Sequence, residues 1–167
     1  MEVVKFIVNE GLADGSSGVY DEFMKSGAEI LACASLQDCE AFLTWYDASI
    51  EGIGAAANAK VLDKVKRGSM PMIGAAATHY PKGDVRVADV VASMIKVLST
   101  PSESVQRTVA DTLVKVVASY AMTSDTAMPA LFEELLARLT CGEGYGDRRG
   151  AAFGIAACCK GCGISAL

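Results

Sequence analysis

Apolar positions in this chain return at helical intervals. Val105, Val109, Leu113, Val116 and Tyr120 fall along one helix face, as do Phe42, Leu43, Tyr46 and Ile50, and earlier Val19, Phe23, Ile30 and Leu31. Leu131, Leu135 and Leu139 recur at every fourth position. No stretch of useful length alternates with a strand period, so the pattern predicts an all-α chain of about eight helices. These are expected at 2–12, 18–34, 36–51, 59–80, 84–99, 103–120, 127–140 and 147–161.

The breaks between them carry turn chemistry. Asp14-Gly15-Ser16-Ser17-Gly18 reads as a tight turn containing helix caps. Thr100-Pro101-Ser102-Glu103 offers a cap and places Pro101 in a first helical turn, where its missing N–H costs nothing. Ser124-Asp125-Thr126 offers caps to the helix that follows. Pro71 lies inside a helical pattern and predicts a kink, or a split near Gly68-Ser69.

Four helix starts preceded by turns give the organisation. Val19, Val65, Val105 and Arg148 follow one another at intervals of 46, 40 and 43 residues. That spacing lies within the roughly 40–47-residue period of HEAT-type helical repeats, in which each unit is a first helix, a turn and a returning second helix. The expected architecture is a HEAT-type α-solenoid of stacked antiparallel helix pairs, with 1–167 forming one repeat segment. On this scheme 1–12 is an unpaired second helix and 147–161 an unpaired first helix, so the segment is truncated in mid-repeat at both ends. The terminal helices then keep apolar sides through which copies could self-associate.

Composition narrows the function. The chain of 167 residues is 51% hydrophobic and only 7% aromatic, a balance of Ala, Val, Leu and Met suited to helices. Its net charge of −5 argues against a dedicated nucleic-acid binder, although a local basic patch is compatible with an acidic total. The N-terminus lacks the pattern of a secretory signal, and no apolar run reaches the roughly 18 residues of a membrane span. The chain therefore reads as soluble and intracellular. Cys33, Cys39, Cys141, Cys158, Cys159 and Cys162 lie among apolar or small residues, as free buried thiols do. Cys159-x-x-Cys162 has the spacing of half a zinc knuckle or of a redox pair, but no second ligand pair completes a site, so no metal is expected.

The candidate interaction residues are cations. Arg148 and Arg149 are placed on the first turn of the last helix, where the field of unpaired N–H groups disfavours positive charge. They therefore need partners outside that helix. Those partners are either an external RNA or acidic protein surface, or a carboxylate of the neighbouring repeat such as Glu103 or Asp111, which favours a structural role. Lys60, Lys64, Lys66 and Arg67 form a basic run that is either a phosphate contact or a solvated helix face. Gly142, Gly144 and Gly146 imitate a phosphate-binding loop, yet no strand precedes them and no Lys-Ser or Lys-Thr follows, which leaves an inter-helix turn. His79, the single histidine, ends a helix without a nucleophile in view and reads as a cap or packing residue. No catalytic residues and no cofactor are expected.

The string Tyr145-Gly146-Asp147-Arg148-Arg149-Gly150-Ala151-Ala152-Phe153-Gly154-Ile155-Ala156, followed by Lys160-Gly161 and Gly163-Ile164-Ser165, resembles a segment of the general-control translational activator family. Val97-Leu98-Ser99-Thr100-Pro101-Ser102-Glu103-Ser104-Val105-Gln106 resembles the repeat just upstream in that family. A weaker likeness runs back through Ile73-Gly74 and His79 to Ala13-Asp14 and Val19. Cys158, Cys159 and Cys162 depart from the aliphatic residues expected there, as Pro71 departs from a helix former.

The resemblance implies a non-catalytic, cytoplasmic HEAT-repeat scaffold, near the family's elongation-factor-three-like region. Such a scaffold would associate with ribosomes and an ATP-binding-cassette partner protein. It would support activation of the initiation factor two alpha kinase under amino-acid starvation. The family's kinase-binding segment lies farther toward the C-terminus and is absent here. The alternative is a HEAT scaffold of another class: a transport receptor, a phosphatase scaffold or a tubulin-binding array. An enzyme is a third reading, for which no reactive constellation is present.

Overall fold

The computed structural model describes all residues except Gly15, Ala57 and 164–167, and every element among the described residues is helical. In chain order these are α1 (Glu2–Phe6), a π-helical turn (Ile7–Gly11), α2 (Leu12–Asp14), α3 (Ser17–Ala32), α4 (Leu36–Ala56), α5 (Ala59–Ala77), α6 (Arg86–Val97), α7 (Glu103–Tyr120), α8 (Ala127–Cys141) and α9 (Tyr145–Cys162). The chain divides into two compact units, Met1–His79 and Tyr80–Leu167.

In Met1–His79, α3 and α5 run parallel. Tyr20 Oη donates to Lys64 O at 2.8 Å near one end, Gly27 faces Met72 midway, and His79 Nε2 donates to Leu31 O at 2.8 Å at the other. The two hydrogen bonds join residues 44 and 48 positions apart, so one repeat period appears directly as tertiary contact. Helix α4 begins beside the end of α3, where Cys39 Sγ donates to the same Leu31 carbonyl, and packs on α5. Leu12, Leu31, Phe42, Val65, Met70 and Met72 fill the centre.

Tyr80–Leu167 repeats the plan. Gln106 on α7 contacts Arg149 on α9, and eleven to twelve residues on, Val117 faces Gly161, so these two helices are also parallel. Helix α8 returns between them: Arg138 meets Asp147 and Leu135 meets Gly154, an antiparallel register against α9. First helices stacked in parallel within each unit, with a second helix returning between them, are the HEAT-type arrangement that the 46- and 43-residue intervals predict. The predicted stripe of α7 is buried from Val105 to Val116, with Tyr120 half-buried at its end.

Other expectations are corrected. The first helix is not a plain α-helix over 2–12: it carries a π-helical turn and extends to Asp14. Gly11 ends that turn against Phe23, whose ring a Cβ would meet at 2.9 Å. Val19 and Ile30 stand 49% and 40% exposed, so the α3 stripe is buried mainly through Leu31. Helix α5 runs unbroken through Pro71, which removes the split reading. Buried Met70, Met72 and Ile73 hold the helix to the core on both sides of the missing N–H.

Helix α9 begins two residues earlier than expected, and α6 is shorter, at Arg86–Val97. Pro101 lies outside α7 rather than in its first turn. Ser16, Ser102 and Thr126 occupy cap positions without a capping side-chain hydrogen bond, because the hydroxyls of Ser102 and Thr126 instead reach Ser104 and Ser124. Among the described residues, Ser35 caps Asp38 N at 3.1 Å and Asn58 caps Val61 N at 3.0 Å, while Asp84, just before α6, accepts from Arg86 N at 2.9 Å. Of the expected Asp14–Gly18 turn, Gly15 lies outside the described residues, as do Ile164 and Ser165 at the end of the family-like tail.

Close approach makes two glycines on α9 obligatory. A Cβ on Gly150 would overlap Leu98 O, and one on Gly161 would meet Val117 Cγ1 and stand 2.8 Å from Val114 O. Both obstacles include backbone, which cannot swing aside as a side-chain tip can. Gly150→Ala is therefore expected to lower unfolding stability by about 1–3 kcal/mol or more. Gly18→Ala, whose Cβ meets nothing within 4 Å, should be neutral to stabilising. Urea denaturation of both variants checks this, and equal midpoints would contradict the tight approach of α9 to the end of α6.

Tyr20 supplies a pH test of the α3–α5 contact. Burial pushes its phenol up to about 12, partly offset by the Arg67 guanidinium. A raised value means that the neutral phenol is favoured in the fold. Its contribution is complete below the ordinary value of 10.0 and is lost as the pH rises through about 12. The tyrosinate absorbance of the wild type minus that of Tyr20→Phe should titrate near the upper value. A difference curve centred near 10 would contradict it.

Candidate interaction surface

The start of α9 is built around a buried amide. Gln106 is fully buried, and its Nε2 lies 2.8 Å from Leu98 O, 2.7 Å from Thr100 O and 2.7 Å from Gly146 O. Two amide hydrogens are thus shared among three carbonyls at the α6–α7 turn and the first turn of α9. The other end of the amide, Oε1, accepts from Arg149 Nε at 2.7 Å. Arg149 also donates from Nη2 to Pro101 O at 2.6 Å and from Nη1 to Glu103 Oε2 at 3.3 Å. Its guanidinium lies 5.4 Å from the Tyr145 ring centre, and its side chain is 19% exposed.

Arg138 closes the same turn from the other side. It donates to Ile95 O at 3.0 Å, to Ser99 Oγ, and to Asp147 Oδ1 at 2.9 and 3.2 Å from two nitrogens. The residues linking α6 to α7 are therefore gripped by one arginine from α8 and one from α9. Because α9 starts at Tyr145, Asp147 is the charge in its first turn and the arginines follow it. The expected mismatch between cations and the helix start is relieved by that shift. The carboxylate expected to receive an arginine is Glu103, not Asp111. The Arg107 guanidinium, and secondarily Arg149, holds the Glu103 carboxyl below its ordinary range. Arg148 points outward, with Nη1 donating to Gly142 O at 2.8 Å, and remains exposed.

The basic run lies on α5. Lys60 and Lys64 are exposed, Lys66 and Arg67 half-buried. One turn of 100° per residue puts Lys60, Lys64 and Arg67 on one face and Lys66 off it. Arg67 contacts Asp21 at 3.5 Å and lies 4.9 Å from the Tyr20 ring centre, so part of its charge serves the α3–α5 contact. Arg148 and Arg149 belong to Tyr80–Leu167, and the α5 run to Met1–His79.

The remaining candidates have structural employment. Gly142 ends α8 and Gly144 precedes α9. His79 caps the last turn of α3, not that of its own helix, at Leu31 O. The expectation of six buried thiols is corrected. Cys39 and Cys158 are buried, Cys159 and Cys162 are half-buried, but Cys33 and Cys141 are exposed because each sits at a helix end. Burial pushes the Cys158 thiol up to about 12. Among the described residues, no three His, Cys, Asp or Glu side chains gather as metal ligands. No helix among them is long and apolar enough to cross a membrane.

Sequence reading missed Gln106 and Arg138. Gln106 was visible only as the polar residue between apolar Val105 and the stripe that continues at Val109. Arg138 interrupts the Leu131–Leu135–Leu139 face, and nothing local reveals that its acceptors lie on three other segments.

Comparison with known proteins follows this geometry. The chain is 34% identical over 165 residues, 99% of its length, to Protein ILITYHIA of Arabidopsis thaliana. It is 31% identical over 165 residues, 96% of its length, to the eIF-2-alpha kinase activator GCN1 of Dictyostelium discoideum. It is 36% identical over 112 residues, 67% of its length, to the stalled ribosome sensor GCN1 of Homo sapiens. The chain spans only about 6% of the first two relatives and 4% of the third. No family model matches, and no solved structure matches.

Removing the arginine or its amide partner separates structural from surface roles. Gln106→Ala strands buried carbonyls and is expected to cost about 2–4 kcal/mol. Arg149→Ala should cost about 1.5–3 kcal/mol, with Arg149→Lys restoring little because an ammonium lacks the planar fork. Arg148→Ala should stay within about 0.5 kcal/mol of the wild type. Chemical unfolding of the four variants checks the order. A fully stable Arg149→Ala variant would remove the structural reading.

Proposed function

Since the chain belongs to the GCN1 family over the segment it covers, we propose that it is a non-catalytic HEAT-repeat scaffold segment of a translational activator. In this reading it works in the cytoplasm, associates with ribosomes together with an ATP-binding-cassette partner, and supports activation of the eIF-2-alpha kinase under amino-acid starvation. Contact with the kinase belongs to a segment outside this one. The observation that carries the reading is the match of nearly the whole chain to proteins named for kinase activation, on a fold whose helices repeat one period apart.

The geometry supports a presenting surface rather than a reacting one. Arg149 is consumed by the α6–α7 turn, which leaves Arg148, Lys60 and Lys64 as outward cations, with Lys66 and Arg67 beside them. Scattered exposed cations suit reversible electrostatic contact with a large polyanionic partner, whose strength falls with salt.

A segment exchange tests this. The yeast eIF-2-alpha kinase activator GCN1 aligns with the whole of this chain at 26% identity. Carrying this segment in place of its own, the yeast protein should still co-sediment with ribosomes and sustain eIF-2-alpha phosphorylation during starvation. Lys60→Glu with Lys64→Glu should lower co-sedimentation several-fold without altering thermal stability. A folded exchange protein that sediments normally despite both reversals would remove these cations from the contact. One that folds but supports no phosphorylation would remove the kinship of function.

A further inference from the structure

The outer seam between α7 and α9 holds a cleft that the stacking contacts do not use. It has a volume of about 140 Å³ and is lined by Arg107, Ala110, Asp111, Val114, Phe153, Ala156, Ala157 and Lys160. The opening follows from residue size. Where the two helices would otherwise interdigitate, Ala110 faces Ala156 and Ala157, and Ala156 is left exposed.

The two ends of the cleft are cationic and differently prepared. Arg107 is fixed in place: its Nε and Nη2 both donate to Glu103 Oε1, at 2.9 and 2.7 Å, and its guanidinium lies 5.0 Å from the Phe153 ring centre. Those contacts leave Nη1 directed to no partner among the described residues, on a side chain that is 62% exposed. At the other end Lys160 is exposed and makes no ion pair among the described residues. Asp111 lies between them, likewise without an ion pair there. Seven residues of α9 separate Phe153, beside Arg107, from Lys160, a rise of roughly 10 Å.

We propose that this cleft binds an acidic peptide segment of a partner protein. Two of the segment's carboxylates, three residues and so one polyproline II turn of about 9 Å apart, would meet Arg107 Nη1 and Lys160. A small residue between them would sit over Ala156, where a peptide N–H can donate to Asp111. Complementary charge selects this occupant. Asp111 stands between the two cations of the cleft, so a backbone charged at every residue would be repelled at its middle where two spaced carboxylates are not.

The test uses the intact chain and no ribosomes, so it fails or succeeds independently of ribosome association. A fluorescein-labelled Ala-Glu-Ala-Ala-Glu-Ala peptide is titrated by fluorescence anisotropy, beside its Gln-for-Glu analogue and a labelled oligouridine. The Glu peptide should bind with an affinity that falls as salt rises, and the analogue at least about fivefold more weakly. Arg107→Gln and Lys160→Gln should each weaken the Glu peptide about fivefold, as loss of one charge pair does. Lys160→Gln should leave the melting temperature unchanged, which separates binding from folding even where Arg107→Gln loosens α7. The proposal is overturned by a peptide that binds Lys160→Gln as well as wild type, by absence of binding at millimolar protein, or by oligouridine that competes for the site and outbinds the peptide.

Discussion

Helix α9 lies so close to α7 and to the end of α6 that backbone meets backbone, and this approach sets everything else in Tyr80–Leu167. It requires glycine at Gly161, against Val114 O of α7, and at Gly150, against Leu98 O where α6 ends. It also brings carbonyls from the α6–α7 turn within reach of a single amide on α7. A buried carbonyl without a donor is costly, so a tight stack needs polar groups supplied deliberately at the joint. Gln106, Arg149 and Arg138 are those groups. Their nine acceptors come from α6, the turn, α7 and α9, which converts contact between helices into a fixed angle and register.

The joint in Met1–His79 is made from different chemistry. There Tyr20 and His79 donate to the Lys64 and Leu31 carbonyls, at opposite ends of the parallel pair. An aromatic hydroxyl and an imidazole need less desolvation than a guanidinium but offer fewer donors. Each therefore ends at one carbonyl, where Arg149 reaches three separate groups. The two units thus satisfy one geometric demand with unlike residues, which is why the repeats share a period but little local sequence.

The period was legible because burial enforces it. Val105, Val109, Leu113 and Val116 must face inward at 3.6-residue spacing, and the breaks fall where Gly, Pro and Ser interrupt that face. Helix ends were less legible, since Ser102 and Thr126 can spend their hydroxyls on neighbouring side chains as readily as on the backbone. Pro71 misled for a related reason: local propensity favours a break, but the burial of Met70, Met72 and Ile73 overrides it. The arginine pair was read correctly as seeking partners beyond its helix, but only one member does so across the repeat. Gln106 and Arg138 escaped notice because their roles depend on residues about 40 positions away, and a single sequence states no such pairing.

The Arg-Arg-Gly string that marks kinship therefore has a consequence for how such chains are interpreted. Arg149 and Gly150 are committed inward, one to the turn and the other to letting it close. A family resemblance centred on them is a likeness of joinery. At Arg149 and Gly150, what makes the chain recognisable is what keeps it standing.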